Sequence, residues 1–137
     1  MWTERNKQVV RRFIDEVINA GHIELVDELT DPEYALHFPG RSNPVTRADL
    51  PSFALELREA FPDWHVQIDD MIAEGDKVAL LSTVTGTHRG TFQDILPTGR
   101  SVSLRGIAFF ELRNGKVLEH RAMLDRMAMF EQLGAKG

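Results

Sequence analysis

Two stretches decide the fold: Trp64–Arg89, WHVQIDDMIAEGDKVALLSTVTGTHR, and Arg100–Asp125, RSVSLRGIAFFELRNGKVLEHRAMLD. In both, apolar residues recur at every second position, the period of a strand with one face turned to a core. Glu74-Gly75-Asp76 and Asn114-Gly115 interrupt the alternation. Asn-Gly between alternating segments is the strongest short hairpin signal. Four strands are therefore expected over Trp64–Ala73, Lys77–Arg89, Arg100–Arg113 and Lys116–Asp125, with Gly90–Gly99 as the loop between the middle pair.

Upstream of Trp64 the period changes to that of a helix. Val9, Val10, Phe13, Ile14, Val17 and Ile18 make one apolar stripe, with Thr3 as the expected cap and Asn19-Ala20-Gly21 as the stop. Ile23, Leu25, Val26 and Leu29 form the buried side of a short second helix, which Asp31-Pro32 is expected to break. Tyr34–Phe38 reads as a brief strand and Pro39–Pro44 as loop. Thr46 is expected to open a third helix with Asp49 in the capping-box position and Pro51 in the first turn, burying Leu50, Phe53, Leu57 and Phe61. Downstream, Met127–Leu133 is a last short helix ending at Gly134.

Helices first and an antiparallel meander afterwards is the α+β pattern. Long strands twist and curl, and amphipathic helices cover the concave side, so the expected architecture is a cone-shaped barrel with an internal pocket. No repeat or linker divides the chain, which reads as a single domain over 1–137. Ala79, Leu81, Ile107 and Phe109 put apolar surface on the other sheet face as well, and a homodimer packed through the sheet is expected from it.

Composition narrows the partners. A net charge of -5 argues against nucleic acid, which needs a basic face, and against an anionic membrane surface. The first residues run straight into Glu4, Arg5 and Lys7 with no signal-peptide core, and no apolar run has bilayer length. Without cysteine there is no disulfide, no thiolate nucleophile and no Cys-based zinc site. A cytoplasmic address is expected. The histidines are scattered, with no His-x-x-x-His or equivalent spacing, so no metal site is expected.

Several side chains are candidates for a site. Asp125 ends an alternating segment that carries Arg121 and Met123 on the same face. A carboxylate in an apolar pocket has its pKa raised from an ordinary value of ~3.9 and becomes a usable base. The same residue can instead cap the helix that follows, and both roles can hold together. His88 is in phase with Val78, Leu80 and Val84, which turns it inward; it would hold a carbonyl, relay a proton, or bond structurally to a loop. Arg105 sits mid-strand, facing either water or a partner, or else substrate. His37 and Phe38 adjoin the Pro39-Gly40 turn and would line a pocket mouth, with Trp64 as plug or wall. His120 alternates with Asp125 and is expected to point away from it, and Asp69-Asp70 read as surface acids.

The order Gly86-Thr-His-Arg-Gly-Thr-Phe92, Pro97-Thr-Gly99, the Asn-Gly hairpin, His120-Arg-Ala-Met-Leu-Asp125 and Glu131-Gln-Leu-Gly134 resembles the SnoaL-like polyketide cyclases of the nuclear transport factor 2-like superfamily. The opening helix pair and Phe61-Pro-Asp63 fit as well, so the resemblance covers nearly the whole chain. It implies a conical pocket for a polycyclic or small hydrophobic substrate, without metal or cofactor. It also implies that the aspartate of a His-Arg-x-x-x-Asp context serves as general acid/base in an aldol-type cyclisation, and Asp125 falls on that position. The chain departs from the pattern where Ala122 and Met123 follow His-Arg in place of the family's aspartate and tryptophan, and at the apolar Ala108. An Arg105–Asp125 pair would be similar to the limonene-epoxide hydrolases of the superfamily, but the residue two after Arg105 is Ile107 rather than an aspartate. The expectation is thus a cyclase-like lyase or isomerase in which Asp125 moves the proton and His88 orients the substrate oxygen. The alternatives are a hydrolase or dehydratase with a further carboxylate or Tyr in the cavity, and a non-catalytic dimeric binding module whose cavity is filled by side chains.

Overall fold

The computed structural model describes residues 2–134; Met1 and residues 135–137, which the expected domain includes, lie outside the described residues. Its centre is the meander. Strands β3 (His65–Glu74), β4 (Lys77–Thr87), β5 (Ser101–Arg113) and β6 (Lys116–Leu124) pair antiparallel in chain order. The hairpins fall where the turn residues put them, and Asn114 and Gly115 both adopt positive φ, as a type I′ turn requires. β4 and β5 stay in register from Lys77 opposite Glu111 to Thr87 opposite Ser101. Even-numbered β5 residues from Val102 to Leu112 are therefore all buried.

The remaining strands extend the sheet beyond β6. β1 (Thr30–His37) pairs parallel to β6, and the two-residue β2 (Val45–Thr46) pairs antiparallel to β1. The curved, unclosed sheet of order β2-β1-β6-β5-β4-β3 is thus mixed rather than wholly antiparallel. β1 is also longer than the sequence indicates. Asp31-Pro32 falls inside it, in an irregular stretch between Thr30 and Ala35 where Pro32 is exposed and needs no ladder partner.

The first helix, α1 (Trp2–Arg12), begins at or before Trp2, so Thr3 lies within it, and it continues as a π-helical segment, Phe13–Asn19. A 3₁₀ turn (Ile23–Leu25) and the short α2 (Val26–Leu29) follow. The third helix, α3 (Leu50–Ala60), starts four residues after Thr46: the Thr46 hydroxyl accepts from the Asp49 N–H at 3.3 Å, but within a turn. The last helix is α4 (Arg126–Leu133).

Side chains lock the helices over the sheet. The Asn19 amide exchanges two hydrogen bonds with the Val66 backbone, at 2.9 and 2.8 Å, and Arg58 of α3 donates to the carbonyls of Ile18 and Asn19. The core has two clusters, one around Phe13, Tyr34 and Phe110, the other around Phe61, Trp64 and Leu104. Ile18, Phe38, Phe53 and Val66 pack against both. Among the described residues no helix is long and apolar enough to cross a membrane.

Candidate functional site

Where the two clusters meet they leave a cavity of about 60 Å³. Ile14 and Ile18 reach it from the π-helical segment, Phe53 and Leu57 from α3, and Phe38 and Trp64 from the strand ends. Leu80, Ser82, Ala108, His120, Ala122 and Leu124 form its sheet side. A larger depression of about 700 Å³ lies by the β3–β4 hairpin among Ile72, Glu74, Asp76, Lys77 and Glu111, but it is open. The inner cavity is the less open of the two and has mostly apolar walls, the setting in which small-molecule sites occur.

The polar group that matters most on the wall is His120. It is buried, its ring stacks on Phe110 at 4.3 Å and 24°, and Phe13 meets it edge-on at 5.7 Å. Its Nδ1 lies 3.0 Å from the hydroxyl of Tyr34, itself buried in β1. Burial first, and the nearby His37 second, lower the His120 pKa to about 3, so the imidazole is neutral. Burial pushes the Tyr34 hydroxyl well above its ordinary range, so it keeps its proton. No carboxylate lines the cavity among the described residues.

The residues singled out from sequence divide into three groups. Phe38 and Trp64 do line the cavity, Phe38 edge-on to Phe53 at 5.0 Å. Asp125 is exposed at the N-cap of α4, where Oδ1 accepts from the Ala128 N–H at 3.0 Å. It stands just past Met123 and Leu124, both of which touch the cavity.

His88 is fully buried, as its phase implies, but it is not on the cavity wall. Its ring stacks on Phe61 at 5.3 Å, and its Nδ1 accepts from the Thr98 N–H at 3.2 Å. It thereby fastens the 90–99 loop to the end of α3. Arg105 is exposed on the outer sheet face opposite Thr83, near Asp69. His37 turns away to Glu119, at 2.9 Å. The sheet alternation thus separates Arg105 and Asp125 from the inward even-numbered residues.

His120 is the functional candidate that sequence reasoning set aside. Its signal was present: Ala122 and Leu124 share its phase, whereas Arg121 shares that of Asp125. Among the described residues no group of three or more His, Asp or Glu side chains is placed to hold a metal ion.

A family model described as SnoaL-like polyketide cyclase matches residues 8–133. Comparison with curated proteins finds no match. Among solved structures, a candidate SnoaL-like polyketide cyclase from Jannaschia sp. CCS1 is 27% identical, with a TM-score of 0.89 over 99% of this chain and 96% of that one. IdmH, a candidate polyketide cyclase from Streptomyces antibioticus, is 27% identical with a TM-score of 0.81, covering 95% and 99% of the two chains. AclR, a candidate hydroxylase from Streptomyces galilaeus, is also 27% identical with a TM-score of 0.81, covering 98% and 88%. One fold therefore carries more than one assigned chemistry among the structures similar to this chain.

Proposed function

The chain belongs to the SnoaL-like polyketide cyclase family, and from that membership and its cavity we propose that it performs cofactor-free acid/base chemistry on a small hydrophobic carbonyl compound. The observation that carries the reading is the largely apolar cavity with the neutral His120 in its wall, backed by the Tyr34 hydroxyl. Its size favours a single-ring or short-chain substrate over a polycyclic one, because drug-sized ligands occupy roughly 300–1,000 Å³.

In this reading Asp125, which follows the cavity-lining Leu124, is the base. Oδ1 is held by the cap, and Oδ2 takes a proton from the carbon alpha to the carbonyl. The enolate carbon then bonds to a second carbonyl carbon, and the new alkoxide recovers the proton from the carboxyl group. A positioned acid/base contributes about 10²–10⁴-fold, so the cavity supplies the rest by holding the reacting atoms together.

Exchange of the alpha protons of cyclopentanone in D₂O, followed by NMR, tests the first step without knowledge of the natural substrate. The wild-type protein is expected to accelerate exchange, and Asp125→Asn to abolish the acceleration. Asn caps a helix as well as Asp does, so the melting temperature should not move. A folded Asp125→Asn protein that exchanges at the wild-type rate removes Asp125 from the chemistry. A second reading, a non-catalytic binding module, is favoured by the cap bond of Asp125 and the lack of a lining carboxylate. It is the outcome if cyclopentanone binds the wild-type protein and does not exchange.

We also propose that two copies pair through the outer sheet face. Ile72, Leu81, Ile107 and Phe109 are exposed there, and the registers Ala79–Ile72, Ala79–Phe109 and Leu81–Ile107 make them neighbours across β3, β4 and β5.

A further inference from the structure

We propose that His120 is a fixed hydrogen-bond donor to a neutral carbonyl oxygen in the cavity, held to that role by the Tyr34 hydroxyl on its other ring nitrogen. The inference rests on the reading that the cavity is the substrate site. The Nδ1–Oη distance of 3.0 Å allows either atom to donate. If Nδ1 donated, the Tyr34 proton would be left without an acceptor, because the tyrosine hydroxyl makes no other hydrogen bond among the described residues. An unsatisfied buried donor is costly, so Tyr34 donates and the ring proton sits on Nε2.

Nε2 makes no bond to a described residue, yet it is not sealed in either. Among the described residues the fully buried side-chain polar atoms without a partner are Asn6 Oδ1 and His88 Nε2, so His120 Nε2 keeps some open surface. The open space that His120 borders is the cavity. Phe110 against one ring face and Phe13 at the edge hold the imidazole from turning. The result is one N–H, its tautomer set from behind, on a cavity wall whose other polar side chain is Ser82.

This arrangement selects a ligand class. A neutral donor offsets the desolvation of a ketone or aldehyde oxygen but not that of a carboxylate, whose charge would be stranded among apolar walls. The neutral imidazole, with its pKa near about 3, does not protonate the substrate at ordinary pH. It polarises the carbonyl through the hydrogen bond and so makes the adjacent C–H more acidic. His120 is then the ligand-binding donor and Tyr34 the residue that positions it.

Two ligands of nearly one shape, cyclopentanone and methylenecyclopentane, separate this hydrogen bond from packing. Dissociation constants for both are to be measured by NMR titration on the wild-type protein and on His120→Phe and Tyr34→Phe. A loosened cavity would weaken both ligands together, whereas loss of the donor weakens the ketone alone. The ratio of the two constants is expected to shift against the ketone by about tenfold in His120→Phe, one hydrogen bond's worth, and by less in Tyr34→Phe. In the wild-type complex the ketone ¹³C=O resonance should move downfield on binding, a readout that needs no variant. If both ligands bind but the ratio and the carbonyl shift stay put, the donor role falls and the cavity reading stands. If neither ligand binds, the cavity reading falls and takes this inference with it.

Discussion

Burial of the His120 imidazole ties the stability of the fold to acidity. Unfolded, the side chain takes a proton near its ordinary 6.5; folded, burial and then the neighbouring His37 bring its pKa to about 3. Between those values the unfolded chain binds the extra proton, so stability is complete above about 6.5 and drains away as pH falls toward 3, by about 1.4 kcal/mol for each pH unit. Asp31 acts in the same direction at lower pH, because the Arg113 hydrogen bond holds its carboxyl below the usual range. Urea unfolding at pH 7, 6, 5 and 4 should show His120→Phe losing about one proton's worth of slope above pH 4. An unchanged slope would mean the imidazole is reached by water. His120 does point away from Asp125, as their alternation implies, but it is His120 that faces inward; Arg121, in the phase of Asp125, marks the outer side. The Tyr34–His120 contact spans residues 86 apart in the chain, and no local pattern announces such a pair.

The elements themselves were more legible than their junctions. Alternation and turn residues mark β3 to β6, and the stripe from Val9 to Ile18 marks the first helix, because each signal is local. The parallel pairing of β1 with β6 and the late start of α3 were not legible, since both depend on partners distant in sequence. The junction of α3 with the 90–99 loop is of this second kind. The amides of Arg89 and Gly90 both donate to the Ala60 carbonyl, at 2.8 and 3.1 Å. A Cβ on Gly90 would fall 2.4 Å from the Glu59 carbonyl oxygen and 3.2 Å from the Ala60 Cα, and a helix end cannot yield as a side-chain tip can. Gly90→Ala is therefore expected to destabilise by about 1–3 kcal/mol by pushing the loop away. Gly75 sits at φ +58 with open space around it, so Gly75→Ala should lose only the ~1 kcal/mol of left-handed backbone strain. Chemical unfolding of the two variants checks the order, and a smaller loss at Gly90 would show that the loop does not depend on this seat.

At the scale of the molecule, strand alternation gives the sheet two apolar faces with separate uses. The inner one builds the core and cavity. The outer one leaves Ile72 67%, Leu81 48% and Ile107 53% exposed side by side across three strands. A lone exposed apolar residue needs no explanation, whereas a contiguous patch with Arg105 and Asp69 at its margin has the makings of an interface with a polar rim. A curved sheet that meets its own copy face to face can bury this patch without touching the helices. Light scattering at micromolar concentration is expected to give the mass of two chains. The double variant Leu81→Lys, Phe109→Lys should give one, with the dissociation constant raised at least about 100-fold by four like charges in the joined patch. Leu81 and Phe109 do not line the cavity, so cyclopentanone binding there should persist in the single chain. A wild-type protein that scatters as one chain at ~100 μM, well above the dissociation constants of stable pairs, would leave the outer face as solvent-exposed surface and end the dimer reading.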